Sequence, residues 1–276
     1  MQKITIRDIQ KFKFRKTPFA AVTAYDYGSA SYADTVEIPL LLVGDSAAMV
    51  VYGMDTTIPI SMEELIFLVR AVRRGSNKAL VVADMPFMSY QASIEDAVRN
   101  AGRFIKEGGA EAVKLEGGTV YSAQIKAIID AGIPVMGHVG LLPQSYHLSS
   151  GYRIQGKTQL EAEKIVSDAM AIQASGAFSI VLEGIPANLA KIITQKLDIP
   201  TVGIGAGPYC DGQIQVYHDI LGLYGDKKPR HSKSYGELGQ QIQNMLTEYK
   251  KDVEENIFPD KEHYTTSQVF TEVNHK

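Results

Sequence analysis

Five short apolar runs in this chain end in residues that could bind a metal ion or move a proton. These are Asp45 and Ser46 after the run 39–43, Asp84 after 79–83, Lys114 and Glu116 at the end of 112–115, His138 after 133–136, and Glu183 after 178–182. If the runs are parallel strands of a barrel, their carboxyl ends open on one face, and these side chains would be neighbours. Carboxylates gathered in a partly dry pocket repel one another unless a cation lies between them. The pattern therefore predicts a metal site at this face.

The donor types favour Mg²⁺ over Zn²⁺. The strand ends offer mainly oxygen donors, and a Mg²⁺ ion held by few protein ligands keeps positions open for water and substrate oxygens. Zinc would require more His or Cys ligands. His138 and His147 lack the spacing of a helical zinc site, and the chain has one cysteine, Cys210.

Each acidic residue also has a purely structural interpretation. Asp45 could cap the helix that follows its strand, and Asp84 could be an ordinary turn residue before Met85-Pro86. Glu116 and Glu183 could be solvated charges at the rim. Their shared position at strand ends favours one common site over four unrelated roles.

The elements that must position these residues alternate between strand-like and helix-like patterns. The strand-like runs are 19–24, 39–43, 79–83, 112–115, 133–136, 178–182, 200–204 and, more weakly, 213–217. Helical spacing covers 62–74, 94–106, 123–131, 160–175 and 189–196. Eight strands with intervening helices predict an α/β fold, a single (β/α)8 TIM barrel spanning residues 1–276 as one domain. An N-terminal helix beginning at Thr5 and a C-terminal helical run over 237–255 extend it.

Two connections are longer than usual and would lie over the active face. They are 49–60, after the second strand, and 140–157, after the fifth. The glycine-rich segment 203–207 lacks the spacing of a phosphate-binding loop, so turn geometry or close approach to a substrate explains it better. Cys210 is expected to be a small buried residue and not a nucleophile.

The amino-acid composition and the net charge exclude several classes of partner and compartment. Hydrophobic residues make up 45% of the 276 residues and charged residues 21%, so a sizeable core can form. A net charge of -3 gives no general attraction to nucleic acid or anionic membrane, and we expect neither as a partner. A lone cysteine permits no intrachain disulfide and indicates a reducing compartment, the cytoplasm. The basic first sixteen residues could imitate an organellar transit peptide, but the capped helix start at Thr5 favours an ordinary helix.

At the level of motifs, the chain resembles the ketopantoate hydroxymethyltransferase family along most of its length. The resemblance rests on TAYD (23–26), LVGDS (42–46), ADMPF (83–87), SYQ (89–91), VKLEGG (113–118), PVMGHVG (134–140), GYRIQG (151–156), IPTVGIGAG (199–207), CDGQ (210–213) and FPDKEH (258–263). It implies a barrel of the phosphoenolpyruvate mutase and isocitrate lyase superfamily. The implied reaction transfers a hydroxymethyl group from 5,10-methylenetetrahydrofolate to α-ketoisovalerate, giving ketopantoate for pantothenate biosynthesis.

The resemblance also implies roles for single residues. Asp45 and Asp84 would bind one Mg²⁺ per subunit, and Glu116 would complete the metal environment, through water or directly. Ser46 and Lys114 would hold the keto acid together with Asp45, Asp84 and His138, although His138 could equally make a structural hydrogen bond. Glu183 would be the general base that removes the C3 proton. A homo-oligomer, in the form of a decamer, is implied as well.

Two other functions remain open at this point. A carbon–carbon lyase or mutase of the same superfamily would share the metal carboxylates, but such lyases typically carry a catalytic cysteine in a loop, and no cysteine is suitably placed here. A non-catalytic keto-acid sensor could keep the pocket, but binding alone does not require a base such as Glu183.

Overall fold

A closed parallel barrel forms the centre of the structure, a computed structural model that describes residues 2–148, 150–224, 229 and 231–266. Its strands are β1 (Phe19–Thr23), β2 (Leu40–Val43), β3 (Leu80–Asp84), β4 (Ala112–Lys114), β5 (Val135–Gly140), β6 (Ser179–Glu183), β7 (Thr201–Ile204) and β8 (Gly212–Gln215). Each strand pairs in parallel with the next along the chain, and β8 pairs with β1 to close the ring. The predicted (β/α)8 barrel fold is confirmed.

Helices connect most of the strands. They are α1 (Ile6–Phe14), α2 (Tyr27–Thr35), α3 (Ala47–Val50), α4 (Met62–Gly75), α5 (Ile94–Arg103), α6 (Ser122–Asp130), α7 (Gln159–Ala174), α8 (Ala187–Lys196), α9 (Tyr217–Leu221) and α10 (Leu238–Glu254). A π turn, Phe104–Gly108, follows α5, so the predicted helix 94–106 is α-helical only in its first part. The N-terminal helix begins as predicted, where Thr5 and Asp8 form a reciprocal capping box.

Strand alternation explains where the polar side chains end up. Inward positions along the strands, such as Leu40, Leu80 and Val82, form one apolar cluster inside the barrel. Helix α1 contributes the fully buried Ile9 to the same cluster. Because successive inward positions are two residues apart, the next inward position after Val82 is Asp84. Lys114, His138 and Glu183 follow Ala112, Met136 and Val181 in the same way.

Further details differ from the sequence expectations. The last strand covers Gly212–Gln215 instead of 213–217, because helix α9 begins at Tyr217. Strand β5 begins after Pro134 and runs to Gly140, beyond the predicted 133–136, because it stays paired with β6 as far as Gly140 opposite Glu183. Helix α2 was not anticipated, since its small residues give only a weak apolar stripe. The segment 205–211 joins β7 to β8 without a helix, so the alternation of strands and helices is interrupted there.

The described residues divide into two compact units. The first contains the barrel and runs through Tyr217, with residues 231–232, and the second contains the described parts of 218–229 and 233–266. The expected C-terminal helix is α10, in the second unit; none of its residues is buried. Its apolar residues Ile242, Met245, Leu246, Tyr249 and Val253 are all exposed. That residues 1–276 form a single domain stays a prediction. No described helix has the length and apolarity to span a membrane.

One buried carboxylate outside the barrel mouth fixes the entry to β3. Asp34, at the end of α2, accepts hydrogen bonds from the backbone N–H groups of Asn77 (3.1 Å), Lys78 (2.8 Å) and Ala79 (2.8 Å), and from the Ser76 hydroxyl (3.1 Å). Burial opposes the charged form, but these backbone donors outweigh it and hold the pKa of Asp34 below its usual value.

We expect Asp34→Asn to lower the free energy of unfolding by about 1–3 kcal/mol at pH 7, because its amide NH₂ would face backbone donors. Since the folded pKa of Asp34 is lowered, its contribution is complete above the unfolded value of about 4 and is lost as the pH falls further. Urea unfolding followed by circular dichroism should show the gap between the two proteins narrowing on acidification. Asp130→Asn, at an exposed i,i+4 pair with Lys126, is the matched control. Equal midpoints for Asp34→Asn and wild type at pH 7 would contradict this role.

Candidate active site

The carboxyl end of the barrel gathers the side chains that the sequence singled out. Asp45 follows β2, Asp84 ends β3, Lys114 ends β4 with Glu116 two residues later, His138 lies in β5 and Glu183 ends β6. All are buried, at 1–4% exposure, except Glu183, whose side chain is 19% exposed at the rim. Ser46 lies beside them, and its hydroxyl shares a hydrogen bond of 2.8 Å with the Tyr25 hydroxyl.

A buried ion pair occupies the centre of the site. The Lys114 ammonium donates to both carboxylate oxygens of Asp84, at 2.8 and 2.9 Å, and lies 3.9 Å from Glu116 Oε1. Burial alone would favour neutral lysine, but Asp84, Glu116 and Asp45 around it keep the pKa of Lys114 above its usual value. Burial raises the pKa of Asp84 in spite of Lys114. The backbone N–H of Asp45 also donates to Asp84 Oδ2 (3.2 Å), which brings the ends of β2 and β3 together.

His138 lies between two carboxylates. Its Nδ1 is 3.4 Å from Glu116 Oε1 and its Nε2 is 3.3 Å from Glu183 Oε2. Neither contact has hydrogen-bond geometry, so the interaction is electrostatic. Burial and the Lys114 ammonium both oppose a charged imidazole, but the two carboxylates outweigh them and raise the pKa of His138 to about 9. In turn, His138 and Lys114 hold the pKa of Glu116 below its usual value against the effect of burial.

Asp45 is the carboxylate of the site that no described cationic side chain balances. Its Oδ2 accepts a hydrogen bond from Gln144 Nε2 at 3.0 Å, but no described cationic side chain forms an ion pair with it. Burial, together with the carboxylates of Asp84 and Glu116, raises the pKa of Asp45 well above its usual value. The site thus holds more carboxylates than cationic side chains. An added cation would be stabilised most strongly beside Asp45.

The donor set fits a divalent cation held by few protein ligands. Within the described residues, no group of three or more His, Cys, Asp or Glu side chains is arranged to hold a metal by itself. Mg²⁺ does not require such a cage, because it commonly binds one or two carboxylates and completes its shell with water and substrate oxygens. Asp45 and Asp84 are two adjacent buried carboxylates in a site with surplus negative charge. We conclude that they fit Mg²⁺, with Glu116 close enough to Lys114 to belong to the same cluster.

Sequence reasoning missed several residues that hold the cluster together. Gln144 and Tyr90 are buried and hydrogen-bonded to each other at 3.0 Å, and Tyr25 orients Ser46. Tyr90 and Tyr25 lie inside the SYQ (89–91) and TAYD (23–26) motifs, and their residue types alone indicate no role at a metal site. Gln144 had no signal beyond its place in the long connection 140–157. Cys210 is buried, as expected of a small filling residue.

The family model and the similar curated proteins agree on one family. A family model described as ketopantoate hydroxymethyltransferase matches residues 3–261. A 3-methyl-2-oxobutanoate hydroxymethyltransferase of Clostridium botulinum (strain 657 / Type Ba4) is 51% identical over 259 residues, 94% of each chain. The protein of the same name from Carboxydothermus hydrogenoformans is 50% identical over 266 residues, 96% of each chain.

Solved structures share the fold at much lower identity. A phosphonopyruvate hydrolase in complex with oxalate and Mg²⁺ aligns with a TM-score of 0.61 and 13% identity, over 96% of this chain and 92% of that one. A 2,3-dimethylmalate lyase, described as a member of the PEP mutase/isocitrate lyase superfamily, aligns with a TM-score of 0.59 and 19% identity over the same shares. These likenesses concern the barrel architecture alone.

The geometry predicts that Lys114 is needed to keep Asp84 buried. With metal removed by EDTA, Lys114→Met should lower the free energy of unfolding by about 3–5 kcal/mol, because it leaves an unpaired buried carboxylate. The double variant Lys114→Met/Asp84→Asn should recover most of that loss in urea unfolding. Lys126→Met removes one partner of the exposed pair with Asp130 and should change stability by less than about 1 kcal/mol. A Lys114→Met protein as stable as the wild type would refute the pairing.

Proposed function

This chain belongs to the ketopantoate hydroxymethyltransferase family, and we propose that the barrel mouth built on Asp45, Asp84, Lys114 and Glu116 is where it carries out the family's reaction. The chain is a hydroxymethyltransferase that acts on 3-methyl-2-oxobutanoate, also called α-ketoisovalerate, in pantothenate biosynthesis. The observation that supports the barrel mouth as the place of reaction is the cluster of buried carboxylates around Lys114, with Glu183 at its rim.

We propose Mg²⁺ as the metal, one ion per chain, held by Asp45 and Asp84. Glu116, whose Oε2 accepts the Gln144 backbone N–H at 3.1 Å, would complete the metal environment directly or through water. When bound, the ion would supply a Lewis acid beside the keto acid, which would draw electron density from the substrate carbonyl. The support for this assignment is the surplus of buried carboxylates and their oxygen donors.

The protein's own groups supply the rest of the chemistry. Lys114 is the buried ammonium nearest to the carboxylates, so it would stabilise the negative charge that develops on the keto oxygen as the C3 proton leaves. Ser46 would help to hold the substrate. Glu183, partly exposed where substrate arrives, would accept the C3 proton. His138, 3.3 Å from Glu183, would orient that carboxylate and contact the substrate.

The carbon that loses its proton then attacks the one-carbon donor, which we propose is 5,10-methylenetetrahydrofolate. A new bond forms between C3 and the methylene carbon of the donor. That carbon starts with two bonds to folate nitrogens; one C–N bond is replaced by the bond to C3, and the other is replaced by the bond to the oxygen of water, which becomes the hydroxyl group. The C3 proton and the remaining water proton end on the two nitrogens, so tetrahydrofolate and ketopantoate are the products.

Two connections at the barrel mouth are candidates for donor contacts. Tyr152 in the loop after β5 contacts Met49 after β2, with 3.6 Å between Oη and Sδ. The rings of Tyr146 and Tyr152 pack edge to face with centroids 5.0 Å apart. Aromatic surfaces of this kind suit the flat rings of a folate.

The cell compartment and the assembly are also part of the proposal. We place the enzyme in the cytoplasm, in line with its single cysteine, and we propose a homo-oligomer, a decamer by family resemblance. The exposed apolar residues of α10 support association with further copies, because such a stripe is unfavourable in water. Neither nucleic acid nor membrane is proposed as a partner.

The function is tested by proton exchange in D₂O without folate. The chain with α-ketoisovalerate and Mg²⁺ should exchange the C3 proton for deuterium, as followed by NMR, and adding 5,10-methylenetetrahydrofolate should give ketopantoate. Glu183→Gln should slow the exchange by about 10²–10⁴-fold, the usual contribution of a general base, yet bind Mg²⁺ nearly normally. Asp84→Ala should instead lose Mg²⁺ binding.

The outcomes separate the competing functions. A protein that binds the keto acid without exchange and without folate-dependent product would be a sensor and would contradict the proposal. Cleavage of a carbon–carbon bond in a larger keto acid, with no hydroxymethyl transfer, would identify a lyase. Glu183→Gln exchanging at the wild-type rate would remove Glu183 from the role of base.

A further inference from the structure

Gln144 makes polar contacts with two carboxylates of the cluster at the barrel mouth. It lies in a short 3₁₀ turn, Pro143–Ser145, after β5 and is 5% exposed. Its Nε2 donates to Asp45 Oδ2 (3.0 Å) and to the Met85 carbonyl (2.9 Å). Its backbone N–H donates to Glu116 Oε2 (3.1 Å). One residue of this loop therefore binds two of the three buried carboxylates.

The orientation of the Gln144 amide is fixed by its neighbours. Its Oε1 accepts hydrogen bonds from the Tyr90 hydroxyl (3.0 Å) and from Gln91 Nε2 (3.3 Å). A flipped amide would turn its oxygen towards the Asp45 carboxylate and the Met85 carbonyl, and all of these are acceptors. Both hydrogens of Nε2 are used, and Oε1 faces the Gln91 amide and the Tyr90 hydroxyl, whose single hydrogen also lies within reach of the Glu116 carbonyl oxygen (3.0 Å). The amide can only donate towards Asp45.

We infer that Gln144 is a positioning residue that sets the metal affinity of the site through Asp45. The inference rests on the proposed function. The hydrogen bond from Nε2 holds one oxygen of Asp45 and stabilises its charged form, which leaves the other oxygen to bind the cation. Partners that orient a metal-binding carboxylate typically change metal affinity 10- to 100-fold when they are removed.

The same residue links the long loop to the metal site. The connection after β5 passes through Gln144 before it reaches Tyr146 and Tyr152, the proposed folate contacts. Because the Gln144 backbone N–H binds Glu116 whatever its side chain is, a substitution at Gln144 removes the link to Asp45 and keeps the link to Glu116. This property makes side-chain variants a clean test of the role of Asp45 orientation.

The test is the affinity for Mg²⁺ alone, measured by isothermal titration calorimetry on the full chain without substrate. Gln144→Met keeps a similar volume and loses all four side-chain hydrogen bonds, so its dissociation constant for Mg²⁺ should rise by about tenfold or more. Activity at saturating Mg²⁺ should recover, which places the defect in metal binding and not in the chemical step. Gln155→Met, in the same loop, should bind Mg²⁺ within about twofold of the wild type, since within the described residues the Gln155 amide donates only to the Arg153 carbonyl.

A second variant protects the test against misfolding of the first. Gln91→Met removes the amide that donates to Gln144 Oε1 but leaves the Tyr90 hydroxyl beside it, so its loss of Mg²⁺ affinity should be in the same direction and smaller, about two- to fivefold. Circular dichroism confirms that each variant is folded. Folded Gln144→Met with wild-type Mg²⁺ affinity would overturn the inference and leave the proposed function standing. A wild-type chain that binds no Mg²⁺ would overturn both the inference and the proposed Mg²⁺ site.

Discussion

The repulsion among carboxylates buried at one barrel mouth is the constraint around which this structure is arranged. Asp45, Asp84 and Glu116 are nearly inaccessible to solvent, and charges in such surroundings require partners. Lys114 neutralises Asp84, and His138 faces Glu116, but Asp45 has only the amide of Gln144. A site left with surplus negative charge is primed to bind a cation, and a cation that binds there is placed to activate a keto acid.

The apolar interior of the barrel offsets the free-energy cost of burying these charged side chains. Inward side chains below the site are apolar and pack into one cluster, and α1 adds Ile9 to it. Burial of these apolar side chains stabilises the folded state and compensates for the polar side chains buried at the barrel mouth. Along β3, successive inward-facing positions change from the apolar Val82 to the charged Asp84. Stability and chemistry therefore occupy opposite ends of the same strands, as is general for this fold.

Much of this could be predicted from the sequence, because strand ends have a strong local signal. An apolar run of four or five residues followed by Asp, Glu, Lys or His indicates both the strand and the face on which it ends. The roles of Gln144 and Tyr90 could not be predicted, since their contacts join loops that are distant in sequence and follow no period. The absence of a helix between β7 and β8 could not be predicted for a related reason. The seventh strand has a clear apolar run and the eighth only a weak one, and no residue in 205–211 indicates how the chain crosses from one to the other.

The most direct test of the account is a crystal structure of the full chain grown with Mn²⁺ and 3-methyl-2-oxobutanoate, with diffraction recorded at the manganese absorption edge. Mn²⁺ takes the same oxygen ligands as Mg²⁺ and can be located by its anomalous signal. We predict one strong anomalous peak per chain that contacts Asp45 and Asp84, with the keto acid chelated to it and C3 facing Glu183. A peak elsewhere, or keto acid bound at the barrel mouth without a metal, would contradict the account.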